Sequence, residues 1–390
     1  MDRYLGPYIK NDLKEKVVIL SGPRQVGKTT LSRNLVSSCM YLSYDSASDR
    51  RIISKTEWQR DVELVIFDEL HKMKGWKSWI KGIFDTEGVQ PNLLITGSAR
   101  LETAKKGGDS LAGRYFSYRL HPLTVKEICN RLKEDPLQAL NKLIQYGGFP
   151  EPYLKGSDTF AKRWRRTHID TIIRDDLLDL ERVRDIKSIE ILIDLLRARV
   201  GSHTSYSSLA NDLQVSVHTV KHWLQILESL YVIFPVRPYH KNISRSLLKE
   251  PKYYFYDTGA VEGGFSAKLE NVVALAILRE LHFLEDTTGS KVALHYLRDK
   301  DKNEVDFLTL IDNKPSHMIE VKESDDDFSK SLYKFHAFLK DVKPLQLVYT
   351  LKRRKSSRTM QMLPVHEFLA GIDLTPQIPF RHIIPFLMVF

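Results

Sequence analysis

Cysteine is nearly absent: the 390 residues hold two, Cys39 and Cys129, and neither sits in a C-x-x-C pair. That excludes a disulfide-stapled scaffold and a cysteine-built metal framework, and it fits a reducing compartment. Long apolar runs are missing too. No window approaches the roughly 18–20 residues that a membrane span needs. The nearest, Ile383 to Phe390, is short and holds Pro385. The first residues lack the apolar stretch of a secretory leader, because Asp2, Arg3 and Lys10 interrupt it. The expectation is a cytoplasmic protein without membrane contact. Wholesale disorder and collagen-like repetition are excluded by 42% apolar and 28% charged residues, which supply cores for two or three domains. Positive charge is in excess: 59 Lys and Arg against 49 Asp and Glu give a net +10 and favour phosphate-bearing partners.

The first chemical signal lies near the amino end. Val17-Val18-Ile19-Leu20 is a continuous apolar run, the pattern of a strand buried on both faces. Gly22-Pro23-Arg24-Gln25-Val26-Gly27-Lys28-Thr29 follows and matches G-x-x-x-x-G-K-[ST]; Thr30 to Val36 then has helical spacing. Strand, glycine-rich bend and helix form the context a phosphate-binding loop requires. Glycines let successive backbone N–H groups face an anion, and the helix dipole adds positive potential. In this pattern Lys28 reaches the β- and γ-phosphates and the Thr29 hydroxyl ligates Mg²⁺.

A second buried run, Leu64-Val65-Ile66-Phe67, ends in Asp68-Glu69. Acids at the carboxyl end of a strand in an open parallel sheet lie where ligands bind. Asp68 is expected to hold Mg²⁺ through water, and Glu69 to polarise the attacking water. A third run, Leu93-Leu94-Ile95, ends in Thr96-Gly97-Ser98, so that Thr96 or Ser98 at its tip can sense the γ-phosphate; the same residues are also ordinary turn formers.

These elements come with Ser-Leu-Ala-Gly-Arg (110–114), Gly147-Gly148-Phe149-Pro150-Glu151 and Tyr256-Asp257-Thr258-Gly259. Together, in this order, they resemble the AAA-type ATPases of archaea and bacteria that carry a C-terminal domain of long-unassigned function. The resemblance implies an ATP-hydrolysing P-loop core using ATP and Mg²⁺. It also implies that Arg114 is an arginine finger given to a neighbouring subunit's nucleotide, with Arg100 the competing choice. A ring such as a hexamer would follow. His71-Lys72, after the acid pair, is assigned no role.

Further along, the pattern from 126 to 150 is helical and breaks at Tyr146-Gly147-Gly148. Lys162-Arg163-Trp164-Arg165-Arg166 is either a phosphate-contacting helix face or a solvated one. Residues 202–239 read as helix, turn, helix and strand, with Ser216 capping a second helix whose Val220, Trp223, Leu227 and Leu230 share one face. That is the order of a winged helix, which docks on DNA or on protein. If it takes DNA, the contacts fall to His218, Thr219, Lys221 and His222 on the helix and to Arg237 and Lys241 beyond it, with Arg245, Lys249 and Lys252 following.

In the last third, the helix starting at Lys268 carries Glu270 near its start. Two alternating strands follow, at 304–310 and 317–322. Paired as a hairpin, they bring Asp306, Glu320 and Lys322 onto one polar patch. This resembles the restriction-endonuclease-like core, in which Glu270, Asp306 and Glu320 would hold Mg²⁺ and Lys322 would orient the water. Asp325-Asp326-Asp327 would repel a phosphate backbone, whereas Lys352 to Lys355 and Arg358 are either compensation or a solvated loop.

The assembled expectation is an α/β chain: a P-loop AAA-type parallel sheet (1–125), a helical lid or linker (126–185), a winged helix (186–260), a nuclease-like α/β domain (261–370) and a tail (371–390). Its expected function is ATP hydrolysis coupled to moving or remodelling DNA. The alternative is a regulatory ATPase that binds protein partners and keeps the nuclease-like fold only as a scaffold.

Overall fold

The computed structural model describes residues 3–88, 90–97, 111–177, 185–240, 250–324 and 327–375. Ser98, Arg100, Lys241, Arg245 and Lys249 therefore lie outside the described residues, as do Asp325, Asp326 and the tail from 376 onward.

The N-terminal unit runs α1 (Gly6–Asp12), β1 (Val17–Ser21), α2 (Lys28–Arg33), β2 (Cys39–Ser43), α3 (Ala47–Lys55), β3 (Leu64–Asp68), α4 (Trp76–Glu87), β4 (Asn92–Thr96) and β5 (Tyr115–Arg119). Its five strands form one parallel sheet in the order β2-β3-β4-β1-β5. The strand before the glycine-rich bend and the strand before the acid pair are thus separated by β4. Alternation explains the packing. Val18, Leu20, Ile66 and Leu94 join one apolar cluster with α1 and α2, while Val17, Ile19, Val65, Phe67 and Ile95 join another with α4. Both faces are covered, as the unbroken apolar runs predict.

A helical stretch follows: α5 (Val125–Leu132), α6 (Pro136–Tyr146), α7 (Pro150–Lys155), α8 (Asp158–Thr171), α9 (Ile186–Arg197), α10 (Tyr206–Leu213) and α11 (Val217–Ser229). Side-chain caps set several starts: Asp135, Ser157, Asp185, Ser205 and Ser216 each accept a backbone N–H of the first turn.

The second sheet has eight strands in the order β12-β13-β11-β10-β9-β8-β6-β7: β6 (Ile233–Pro238), β7 (Lys252–Phe255), β8 (Val292–Arg298), β9 (Glu304–Ile311), β10 (Lys314–Lys322), β11 (Lys343–Val348), β12 (Lys355–Ser356) and β13 (Gln361–Pro364). Around it lie α12 (Phe265–Thr288), α13 (Lys330–Phe338) and α14 (Val365–Gly371). The β9–β10 hairpin turns on Asp312 and Asn313, both at positive φ (50° and 62°), the two-residue turn that matches strand twist. Its strands pair antiparallel with Ile319 opposite Phe307.

The sheet crosses the 260/261 boundary. The hairpin β6–β7, which follows the α10–α11 pair, continues through parallel pairing of β6 with β8. One apolar cluster likewise runs from Leu123 through the helices to Leu374. The helical stretch, the helix pair and the last sheet share a single core. That core meets the N-terminal unit along α12, where Phe283 packs edge-on against Tyr4 and Tyr8 and Arg119 pairs with Glu285 and Asp286.

Candidate functional site

The glycine-rich bend leaves the carboxyl end of β1. Gly27, at φ 99°, caps α2 in the left-handed region, a conformation that disfavours any residue with a Cβ. Gln25 and Thr30 are exposed, Arg24, Gly27 and Thr29 half-buried, and Gly22, Pro23 and Val26 buried. Lys28 folds across the loop, its Nζ 2.9 Å from the Gly22 carbonyl and 2.7 Å from that of Pro23. The ammonium is thereby held against the backbone of the loop.

Two braces reach the loop from elsewhere. Arg3, buried, donates to the Val26 carbonyl (2.7 Å), the His121 carbonyl (2.6 Å) and the Glu127 carboxylate (2.7 Å). His168 Nε2 lies 3.3 Å from the Arg24 carbonyl and stacks on Trp164, which packs on Phe149. Next to it, Arg165 donates to Asp257 at 2.7 Å. A Cβ on Gly147 would collide with that same Asp257 carboxylate. The segments 147–151 and 256–259 are therefore one joint, seated beside the loop.

At the neighbouring strand tips, Asp68 lies opposite Thr96 across the β3–β4 pair and accepts from its hydroxyl at 2.5 Å. The other Asp68 oxygen accepts from the Tyr41 phenol, which also hydrogen-bonds Thr29. Burial, then the Asp68 carboxylate, pushes the Tyr41 hydroxyl above the usual tyrosine range, so it stays protonated and donates. Glu69 sits one residue on, at φ 53°, its backbone N–H bonded to the Thr96 carbonyl. Burial pushes its carboxyl up, the Asp68 charge adds to this, and Lys72, Lys28 and Arg24 oppose it. His71 Nε2 lies 3.4 Å from Glu69 Oε2. The fold thus brings Lys28, Thr29, Asp68, Glu69 and Thr96 together at one rim of the sheet. It adds Tyr41, His71, Arg3 and Glu127, for which the sequence carries no local pattern.

Residues 14–129 match a family model described as an AAA domain. With the parallel sheet around it, this N-terminal unit is a P-loop fold of AAA type. Residues 137–263 and 265–368 match models described as domains of unknown function, DUF8612 and DUF4143. Over 247 residues the chain is 27% identical to uncharacterized proteins of Mycobacterium tuberculosis and Mycobacterium bovis, matching 62% of this chain and 54% of theirs. It thus spans about half the length of these relatives. An uncharacterized protein of Methanocaldococcus jannaschii is 24% identical over 367 residues, 85% of this chain and 80% of that one. Among solved structures, the S. cerevisiae Hsp104–ADP complex is 13% identical at a TM-score of 0.30, covering 58% of this chain and 37% of that one. C. elegans PCH-2 is 15% identical at a TM-score of 0.23, covering 57% and 66%. Likeness at that level carries no argument about this chain.

The expected arginine finger and the helix-pair residues lie apart from this rim. Arg114 precedes β5 at the amino ends of the strands, opposite the loop, and pairs with the exposed Asp85 at 2.6 Å. On α11, His218 and Lys221 are exposed, Lys221 Nζ lying 5.0 Å from the centre of the Tyr206 ring. Thr219 is spent on the cap: Ser216 accepts its N–H, and the two hydroxyls lie 2.9 Å apart. His222 is half-buried, and Arg237 reaches Glu228 at 4.0 Å. Trp164 is buried, so the basic stretch 162–166 presents no aromatic surface.

The second charged centre lies where β7, β9, β10 and α12 meet. Asp306, Glu320, Lys322 and Glu270 do converge, but around Lys252, not around an open position. The buried Lys252 Nζ is 2.6 Å from Glu304, 3.5 Å from Glu270 and 3.6 Å from Asp306. Burial opposes this charge, yet Glu270, Asp306 and Glu304 more than offset it and hold the ammonium above the usual lysine range. Burial, then Asp306, pushes Glu270 and Glu320 up to about 7. Glu320 pairs with Lys322 at 2.8 Å, and His203 with Glu304 at 2.7 Å. Among the described residues no three His, Cys, Asp or Glu side chains are placed to share a metal ion. The trio Glu270, Asp306 and Glu320 does not fit Mg²⁺ as it stands. Lys252, grouped by sequence with the residues beyond the helix pair, points inward instead; a lone lysine heading the fully buried strand Lys252–Phe255 was the signal available.

The rim of the AAA unit does fit Mg²⁺. Thr29 and Asp68 are hard oxygen donors spanned by a single phenol, the donor set Mg²⁺ uses when phosphates supply its remaining ligands.

Proposed function

We propose that the chain is an ATP-hydrolysing switch or motor of AAA type whose C-terminal half engages DNA. The observation that carries the first part is the alignment of Lys28, Thr96, Asp68 and Glu69 at the carboxyl ends of the adjacent strands β1, β4 and β3. The loop from Gly22 to Thr30 wraps the phosphates with backbone N–H groups, and Lys28, pinned by two carbonyls, meets the β- and γ-phosphates. Mg²⁺, when bound, is held by Thr29 and by Asp68 through water and supplies charge neutralisation between the phosphates. Thr96 fixes the Asp68 carboxylate, and in this reading Thr96 or Ser98 senses the γ-phosphate. Glu69, with its heightened proton affinity, takes the proton from an attacking water. Arg114 lies at the end of the sheet opposite its own loop and pairs with Asp85, which supports its guanidinium serving a neighbouring copy in a ring.

DNA engagement rests on the exposed first turns of α11, with His218 and Lys221, and on Arg237 and Lys241, supported by the net positive charge. One observation favours the other reading, a protein-directed switch: Lys252 fills the C-terminal carboxylate cluster, which leaves that domain a scaffold. Turnover measured with and without duplex DNA across a salt series separates them. Stimulation that collapses as salt rises supports DNA; a response flat in salt favours the protein-directed switch. Lys28→Ala should abolish calorimetric binding of an ATP analogue, and retained binding would refute the loop assignment.

A further inference from the structure

Four carboxylates, Glu270, Glu304, Asp306 and Glu320, come from α12, β9 and β10. The cation they surround is covalently part of the chain. Lys252 is 2% exposed and directs its Nζ at three of them at once. A buried ammonium needs such partners, because an unpaired one costs several kcal/mol to desolvate. The carboxylates need it equally, since Lys252 is the cation that Glu270 and Asp306 share, and removing it leaves them crowded in a low-dielectric pocket. The surrounding groups confirm the tuning: the Tyr254 hydroxyl donates to Glu270 at 2.6 Å, the Val321 N–H to Asp306 at 2.8 Å, and Arg298 to Glu304 at 3.0 Å. This donor set, rich in carboxylate oxygens, is what a hard divalent cation selects, except that the position is filled.

We propose that Lys252 is a built-in plug in a latent divalent-cation site. With it in place an ammonium occupies the centre of the cluster, which takes no metal. With it removed, Glu270, Asp306 and Glu320 bind one Mn²⁺ or Mg²⁺. Lys252 begins β7, which pairs with β6, so the plug also ties that hairpin to β9 and α12.

Metal uptake is read by Mn²⁺ electron paramagnetic resonance on the full chain carrying Asp68→Asn, without nucleotide, so that the N-terminal rim contributes nothing. The expected result is no saturable Mn²⁺ up to about 1 mM, the weak end of carboxylate sites. Adding Lys252→Ala should create one bound Mn²⁺ per chain, which a further Glu320→Gln removes. Mn²⁺ should also raise the melting temperature of the Lys252→Ala chain and leave its parent unchanged. If Lys252→Ala does not fold, Lys252→Ala with Glu304→Gln removes one charge of each sign and carries the same expectation. Saturable Mn²⁺ in the parent that is lost with Glu320→Gln would overturn the plug. A folded chain lacking Lys252 that binds no Mn²⁺ would overturn the latent site.

Discussion

Arg3 and Glu127 lie 124 positions apart in sequence and share a buried ion pair that also grips the Val26 carbonyl of the phosphate loop. Breaking such a pair strands the remaining charge, so Glu127→Ala should cost about 3–5 kcal/mol. The check is chemical denaturation: the midpoint should fall at unchanged slope, and an unaltered midpoint would remove the brace from the account. Tyr41 is a second residue of this kind. Its phenol occupies the two oxygens that a metal would use, on Thr29 and Asp68. Tyr41→Phe should therefore tighten Mg²⁺-dependent nucleotide binding by about tenfold, ~1.4 kcal/mol of the hydrogen bond to a charged group. Titration calorimetry measures it, and weaker binding would mean that the phenol supports the site instead of competing for it. The placement of Lys28, Thr29, Asp68 and Glu69 at the strand ends was legible because each group follows directly on an unbroken apolar run. Arg3, Tyr41 and Lys252 were not, because each acquires its partners only through the fold.

At the scale of elements, period and caps carried most of the information. The α11 helix is capped by Ser216, its Val220, Trp223 and Leu227 are buried, and the β9–β10 hairpin turns where Asp312-Asn313 allows positive φ. What sequence could not supply was the partner of each strand. The strand at 233–238 reads equally well as a free wing, and its edge-to-edge pairing with β8 depends on residues nearly sixty positions away. The exposed first turns of α11 make their own prediction. Lys221→Glu should reduce DNA-stimulated turnover and lower the salt slope by about 1, the change expected when one phosphate contact is lost. An unchanged slope would take this helix out of any DNA interface.

At the scale of the whole molecule, α12 is the joint. Its second half meets the AAA unit through Arg119 with Asp286, through Phe283, and through the buried His121 and half-buried His282, whose ring nitrogens lie 2.9 Å apart. Burial holds both histidines well below their ordinary range, reinforced by Arg119, Arg279 and Arg3 at His121 and by Arg119 and His121 at His282. The unfolded chain therefore binds protons at these positions before the folded one does, and their contribution, complete above about pH 6.5, is lost as the pH falls. Glu270 and Glu320, pushed up to about 7, act with the opposite sign, so the histidine part must be read as a difference. His282→Asn should lose less stability than the parent between about pH 7 and pH 5. Equal losses would mean that the pair does not titrate with folding.

The central claim is hydrolysis of ATP at the β1–β4–β3 rim with Glu69 as the base, and single-turnover phosphate release tests it most directly. Glu69→Gln should bind the nucleotide as tightly as the parent and release phosphate about 10²–10⁴-fold more slowly. Release at the parental rate with unchanged binding would contradict the account.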